Sequence, residues 1–316
     1  MKRQGNKVGV IGTGFVGATT AYTLTLSGLV SDLVLVDKDK EKALGEAMDL
    51  NHGAAFYPSM NVTAGEYSDL KGSDVVIIAA GANQKPGETR MDLAHKNAAI
   101  FREIVPEIVK NAPDAVLLVV TNPVDVLTDV TMEVSGLPFG RVLGSGTVLD
   151  TSRLRHLISV HTHIDARNIH TYVLGEHGDS EVVAMSLTRL AGMDVHTFCE
   201  KCGRCDMDLG TALADQIESK VKNAAYEIIA RKGATYYAVA LAVRRIVEAI
   251  LRDEKAILTV SGPVKGIFGM PNVCLSLPAV VGGEGIERFV PVDLAKDELE
   301  ALCRSADAID EVIRSL

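Results

Sequence analysis

The sequence predicts an α/β fold, a doubly wound parallel sheet in the N-terminal half followed by an α+β half, and three observations carry that expectation. Short β-branched runs alternate with longer amphipathic segments from residue 7 onward, the alternation stops near residue 145, and the remainder mixes long helical stretches with ladder-like strands. Near-continuous apolar runs are what strands covered on both faces require, and alternation with helices is the sequence form of parallel strands joined by helical crossovers.

Taken in order, the strand runs are "KVGVIG", "DLVLVD", "MNVTAG", "DVVIIAAG", "AVLLVVTNP" and "RVLGSG", each closing on glycine, aspartate or Asn-Pro. Helices are expected between them at 15–29, 39–50, 91–111 and 123–135. Beyond the change in pattern we expect a helix near 148–160, strands around 169–191, two helical stretches from 207 to 252, and a strand-rich stretch before a terminal helix. The expected units are 1–145 and 146–316, and with no long linker between them they should share an interface.

Composition narrows the function classes. A chain of 316 residues with 47% hydrophobic and 23% charged residues is globular, and long enough to bury roughly 75% of its unfolded surface without disulfide or metal staples. A net charge of -9 argues against gripping nucleic acid or an anionic membrane through a global basic field. The N-terminus has no secretory core and cleavage site, and no run of about 18 apolar residues occurs, so a cytoplasmic protein is the default expectation. Five cysteines in such a chain read as reduced thiols.

Gly12, Gly14 and Gly17 stand in G-x-G-x-x-G spacing directly after an apolar strand and at the start of a helix. Alone the pattern is weak, but the second strand ends in Asp37, twenty residues past Gly17, where a carboxylate can accept both ribose hydroxyls. Glycines there allow a tight turn, close approach of backbone amides to a pyrophosphate, and close helix–strand packing, while the helix N-terminus favours an anion. The implied unit is a Rossmann-type dinucleotide-binding domain, and Asp37 favours NAD over NADP because a 2'-phosphate would face a carboxylate.

In "LGEHGDS", His177 sits between Glu176 and Asp179, and its residues alone leave three readings: a proton-transfer group, a metal ligand or a solvated loop residue. Metal ligation lacks a second histidine at helical spacing. Asp150 and Arg153, three apart at a helix start in "TVLDTSRLRH", face one side, as an ordinary surface pair also would. Together with "GANQKPGETR" and "VTNPVD", these stretches occur in an order that resembles the lactate/malate dehydrogenase family over essentially the whole chain, its lactate branch most of all.

The resemblance implies an NAD-dependent oxidoreductase acting on a 2-hydroxy acid, with His177 as proton donor and acceptor and Asp150 fixing its tautomer. Arg153 would take the substrate carboxylate in a two-pronged pair, and Arg90, at the end of a loop with Gly81, Pro86 and Gly87, would polarise the carbonyl. Asn122 resembles the residue that hydrogen-bonds substrate and cofactor, and Pro123 sits where the family has a cis peptide. Thr235 in "KGATYY" matches a substrate-pocket position, while Gly81, Ala82, Val16, Tyr67 and Ser145 carry over as cofactor contacts.

Gln84 separates the branches, since malate dehydrogenases place arginine there for a second carboxylate; a neutral amide implies pyruvate and L-lactate. Arg155 and His170 match the pair that binds fructose 1,6-bisphosphate across a two-fold axis in bacterial members, which implies an allosteric homotetramer in fermentative glycolysis. The rival expectations are another 2-hydroxy acid dehydrogenase, malate included, and a non-catalytic nucleotide-binding or structural protein. A redox-metal protein built on Cys199, Cys202 and Cys205 is a third, though that C-x-x-C-x-x-C run lacks the fourth cysteine and proline of a ferredoxin site. No metal is expected, and His161 and His163 read as helix-end or surface residues.

Overall fold

The computed structural model describes residues 5–82, 87–202 and 211–316, with side chains of the last span taken from residue 216 onward. The first half runs β1 (Lys7–Ile11), α1 (Phe15–Ser27), β2 (Asp32–Val36), α2 (Lys40–His52), β3 (Asn61–Ala64), β4 (Val75–Ile78), α3 (Arg90–Asn111), β5 (Val116–Val119), α4 (Val124–Ser135) and β6 (Val142–Gly144). The second half continues with α5 (Val148–Thr162), the two-residue strands β7 (Ile169–His170), β8 (Val173–Leu174), β9 (Val182–Val183), β10 (Arg189–Leu190) and β11 (Met193–Asp194), then α6 (Val195–Cys202). It closes with α7 (Thr211–Lys232), α8 (Tyr237–Leu251), β12 (Ala256–Pro263), β13 (Cys274–Gly282), β14 (Gly285–Phe289) and α9 (Lys296–Ser315).

The parallel strands stand in the order β3-β2-β1-β4-β5-β6, so the chain reverses its direction of winding between β1 and β4. Every one of these strands delivers its C-terminal end to the same edge, and ligands of open α/β sheets bind at that reversal. Successive residues of each strand point to opposite faces. Val8, Val10, Val75 and Ile77 pack with Leu24 of α1 and Val243, Ile246 and Val247 of α8. Ile11, Val76 and Ile78 pack with Phe101, Val105 and Ile108 of α3 and Leu127 of α4. Each fully buried side chain of this size contributes about 1.5–3 kcal/mol, so the period-two pattern fixes both layers.

Helix starts follow local chemistry. Asp39 caps α2 by accepting from the Lys42 amide, and Thr89 and Asp92 form a reciprocal capping box at α3, which aims Arg90 from the first helical position. The α/β and α+β halves match the fold class expected from sequence, but they are joined more closely than the pattern indicated. The antiparallel strands β12, β13 and β14 extend the same sheet to nine strands through the Ser261–Gly144 pairing, and α8 covers the N-terminal sheet beside α1. Among the described residues no helix is long and apolar enough to cross a membrane.

Candidate active site

Each glycine of the first βα turn meets a different constraint. Gly12 has φ +92°, and a Cβ there would lie 2.6 Å from the Ala80 backbone; one on Gly17 would lie 1.9 Å from the Gly12 carbonyl oxygen. A Cβ on Gly14 would meet nothing within 4 Å, and no side chain caps the helix that Gly14 begins. The open approach to uncapped amides at a helix start is the cradle a pyrophosphate requires. Asp37, just past β2, accepts from the Thr13 amide at 2.6 Å and its hydroxyl at 2.9 Å, and from the Asp39 amide at 3.0 Å. Burial raises its pKa, but these hydrogen bonds outweigh it and hold the carboxyl ionised below the ordinary aspartate value.

The ends of β4, β5 and β6 complete the cleft. Gly81 lies so close to Thr121 that a Cβ would sit 2.4 Å from its methyl carbon. Asn97, fully buried on α3, accepts from the Ala82 amide at 2.8 Å and donates to the Asn122 carbonyl at 2.8 Å, tying the two loops together. Sequence reading passed over Asn97 and Thr13, since a lone polar residue in a helix or a glycine loop carries no signal of its partners. Ser145 is buried and donates its amide to the Val119 carbonyl, and the Asn122–Pro123 peptide is cis. Val16 is half-buried against the core, as is Tyr67, whose hydroxyl pKa is raised by burial and by Glu103, Glu107 and Asp37.

The histidine loop is fixed from three sides. Gly175 pairs with Ser276 of β13, the Glu176 amide donates to Ser305 of α9 at 2.8 Å, and the His177 amide donates to Asp125 of α4 at 2.7 Å. Burial pushes the Asp125 carboxyl up to about 6, against the hydrogen bond from that amide. The His177 Nδ1 meets Asp150 Oδ2 at 2.6 Å, and the other oxygen of Asp150 accepts from Arg153 at 2.6 Å. Asp150 is 1% exposed, so its whole capacity serves these two partners. Burial disfavours the charged ring, yet Asp150 outweighs that and holds the His177 pKa at about 9; burial also works against Asp150, whose own pKa falls because His177 and Arg153 flank it.

Arg90 reaches this loop as well. Its guanidinium lies over Gly178, where a Cβ would be 2.3 Å away, and pairs with Asp179 at 2.8 Å and Glu176 at 3.5 Å. Tyr226 of α7 donates to Asp179 at 2.8 Å, so the carboxylates flanking His177 in sequence turn toward arginine and tyrosine. Thr235 lies half-buried between α7 and α8, and its neighbour Tyr236 stacks on Phe15 of α1 with centroids 5.3 Å apart, which brings that segment to the glycine turn. Gln84 lies outside the described residues, as does Pro86.

Two sequence readings fall away from this cleft. Arg155, two residues past Arg153 on α5, is half-buried with its Nε unpartnered among the described residues, and burial lowers its pKa; His170 is exposed on β7, a strand packed against the same helix. Cys199 is buried on α6 with its sulfur 3.7 Å from the His161 ring, so His161 is a packed helix-end residue, and Cys205 lies outside the described residues. His163 ends α5 in the left-handed conformation, φ 56°.

Glu181 was not foreseen. It is 3% exposed, and a carboxylate oxygen of Glu181 and the facing atoms of Asp150 and His177 all lie within 4.8 Å of one another. A cation seated among them would stand against the Arg153 guanidinium, which already occupies one oxygen of Asp150.

Residues 6–144 match the family profile described as lactate/malate dehydrogenase, NAD binding domain, and residues 147–315 match its alpha/beta C-terminal domain. The chain is 55% identical over 312 residues to the L-lactate dehydrogenase of Thermoanaerobacter sp. (strain X514), covering 98% of this chain and 99% of that one. It is 54% identical over 315 residues to L-lactate dehydrogenase 1 of Clostridium acetobutylicum, with 99% of each chain covered. Among solved structures, MGS-M5, a lactate dehydrogenase from a Medee basin deep-sea metagenome library, superposes with a TM-score of 0.94 at 44% identity, and the ligand-bound minor L-lactate dehydrogenase of Enterococcus mundtii with 0.95 at 41%, each covering 99% of both chains. An uncapped glycine turn, an ionised carboxylate at the end of the second strand, and full-length likeness of this degree lead to one conclusion: the chain belongs to the lactate/malate dehydrogenase family, and its cofactor is NAD.

Proposed function

We propose that the protein is an NAD-dependent L-lactate dehydrogenase that interconverts pyruvate and L-lactate, with His177, Asp150, Arg153 and Arg90 as its working residues. The observation that carries the proposal is the division of Asp150: one oxygen holds the His177 ring and the other holds Arg153, so a proton carrier and a carboxylate receptor are oriented by a single buried acid. The names of the similar proteins from Thermoanaerobacter and Clostridium support the substrate assignment.

Arg153 receives the substrate carboxylate as a charge-assisted pair, which leaves the 2-carbon beside the His177 ring. NAD, when bound, supplies the acceptor for the hydride that leaves this carbon in lactate oxidation. With Nδ1 facing Asp150, the ring presents its other nitrogen to the substrate oxygen, takes the hydroxyl proton in oxidation and returns it in reduction. Arg90 places positive charge where the oxygen develops negative charge, and Asn122 donates to the same oxygen. Glu176 and Asp179 hold Arg90 close to that position, and a substrate carbonyl must compete with them for it.

The sign of the pH dependence follows. Reduction needs the imidazolium and declines as pH rises through about 9, whereas oxidation needs the neutral ring and declines as pH falls. Following NADH absorbance with pyruvate and then with oxaloacetate tests the assignment. Pyruvate should be preferred by two or more decades, because a second carboxylate beside neutral Gln84 would be enclosed unpaired. Gln84→Arg should move the ratio of kcat/KM values toward oxaloacetate, and an unchanged ratio would remove Gln84 as the selector.

The same reading extends to assembly and regulation. Two units, 1–145 and 146–316, carry cofactor and substrate, and exposed apolar residues such as Tyr22 and Leu26 of α1 and Leu241 of the adjacent α8 are available for association into a cytoplasmic homotetramer. Arg155, whose buried Nε has no partner among the described residues, and His170 form half of a fructose 1,6-bisphosphate site completed by a second subunit. The bisphosphate should lower the pyruvate concentration at half saturation, and Arg155→Gln should abolish that effect; a response that survives the substitution excludes the site.

A further inference from the structure

Glu181 opens the segment that leads into β9, and its backbone amide is tied to the Gly178 carbonyl at 3.2 Å, so the side chain is delivered to the His177–Asp150 pair by the histidine loop itself. The carboxyl is buried, and its Oε1 has no hydrogen-bond partner among the described residues. The charged groups that face it are Asp150 and Arg153 from α5, His177 from the loop, and Lys222 from α7, which is also paired with Glu218. Three carboxyl groups, Asp150, Asp125 and Glu181, therefore act on one ring whose charge changes during the reaction, with Arg153 and Lys222 facing Glu181 as fixed cations.

We propose that Glu181 is a positioning residue of the proton-transfer site: a further buried carboxyl, beside the one that orients His177, whose charge follows that of the ring, ionised beside the imidazolium and protonated beside the neutral ring. The inference rests on the reading of His177 as the proton carrier. An ionised Glu181 repels the buried Asp150, so the acid stays neutral until a positive ring or a rise in pH favours its charge. Burial pushes its pKa up to about 8, Asp150 adds to the rise, and His177, Arg153 and Lys222 oppose it. Once ionised, Glu181 retains the proton on the ring, whose pKa it raises together with Asp150 and Asp125. A substrate carboxylate arriving at Arg153 brings another negative charge, which drives Glu181 back to neutrality.

The test is the pH profile of kcat/KM for pyruvate in the intact oligomer, wild type against Glu181→Gln, an isosteric change that removes only the titrating charge. The alkaline limb of the variant should lie about half to one pH unit lower, a roughly three- to ten-fold lower rate on the alkaline side. A limb at the wild-type position overturns the role of Glu181, while a wild-type profile with no alkaline limb sinks the His177 reading instead. Proton uptake by the wild-type enzyme–NADH complex on binding oxamate, the amide isostere of pyruvate, serves if the variant does not fold. Near about pH 9 His177 is half protonated and can take up no more than about half a proton, so the inference requires clearly more than that per subunit; half a proton or less excludes Glu181, and none excludes His177.

Discussion

Asparagine in place of His177 lowers kcat for pyruvate reduction by about two to four orders of magnitude, the span that a positioned proton donor supplies. Its amide can keep a hydrogen bond to Asp150, but it has no proton to give at neutral pH. NADH affinity should change little, because the glycine turn and Asp37 stand on other strands and share no hydrogen bond with the histidine loop. Steady-state kinetics together with a direct NADH titration separate the two effects. A variant that retains a tenth or more of wild-type kcat would remove His177 from the proton-transfer role.

Asp150→Asn acts on the same ring by a different route and also weakens the fold. Without the carboxylate, burial is no longer outweighed, and the His177 pKa should fall from about 9 to its ordinary value or lower. At about pH 7.5 the protonated fraction then drops from nearly all to no more than about a tenth, and the alkaline limb of pyruvate reduction moves two or more units toward acid. The stability consequence has two signs. His177, with its pKa raised, stabilises the fold fully below its unfolded value and loses that contribution as pH rises through about 9. Asp150, with its pKa lowered, stabilises the fold above its unfolded value and loses that contribution as pH falls through the depressed one. Asparagine removes both and leaves the half-buried Arg153 without its ion-pair partner, a loss of about 3 kcal/mol. Denaturant unfolding and the rate profile check the two halves; an alkaline limb that stays in place contradicts the assigned role of Asp150.

What could be read along the chain and what could not divide by the range of the interaction. The alternation of parallel strands with helices and the nucleotide turn follow from local patterning: continuous apolar runs, glycine at Gly12, Gly14 and Gly17, and an acid at Asp37 each state their requirement within a few residues. The pairing of Asp150 with Arg153 was likewise legible, because a helix places residues three apart on one side. Resemblance, and not periodicity, linked Asp150 to His177, since 27 residues separate them and no local rule spans that distance. Gln84, proposed as the substrate selector, stands outside the described residues, so its reading is one of charge chemistry.

The sequence by itself determined the doubly wound sheet and the nucleotide turn, because each depends on side-chain periodicity or on conformations only certain residues adopt. Only the tertiary structure decided that β12 continues the same sheet from Gly144, that Asn97 ties Ala82 to Asn122, and that Asp125, Ser276 and Ser305 hold the histidine loop. It alone set Glu181 against His177 and Asp150, and with it the charge that each of them carries. Burial and through-space charge depend on which distant segments close around a group, and a polar residue carries no mark of those neighbours in the chain.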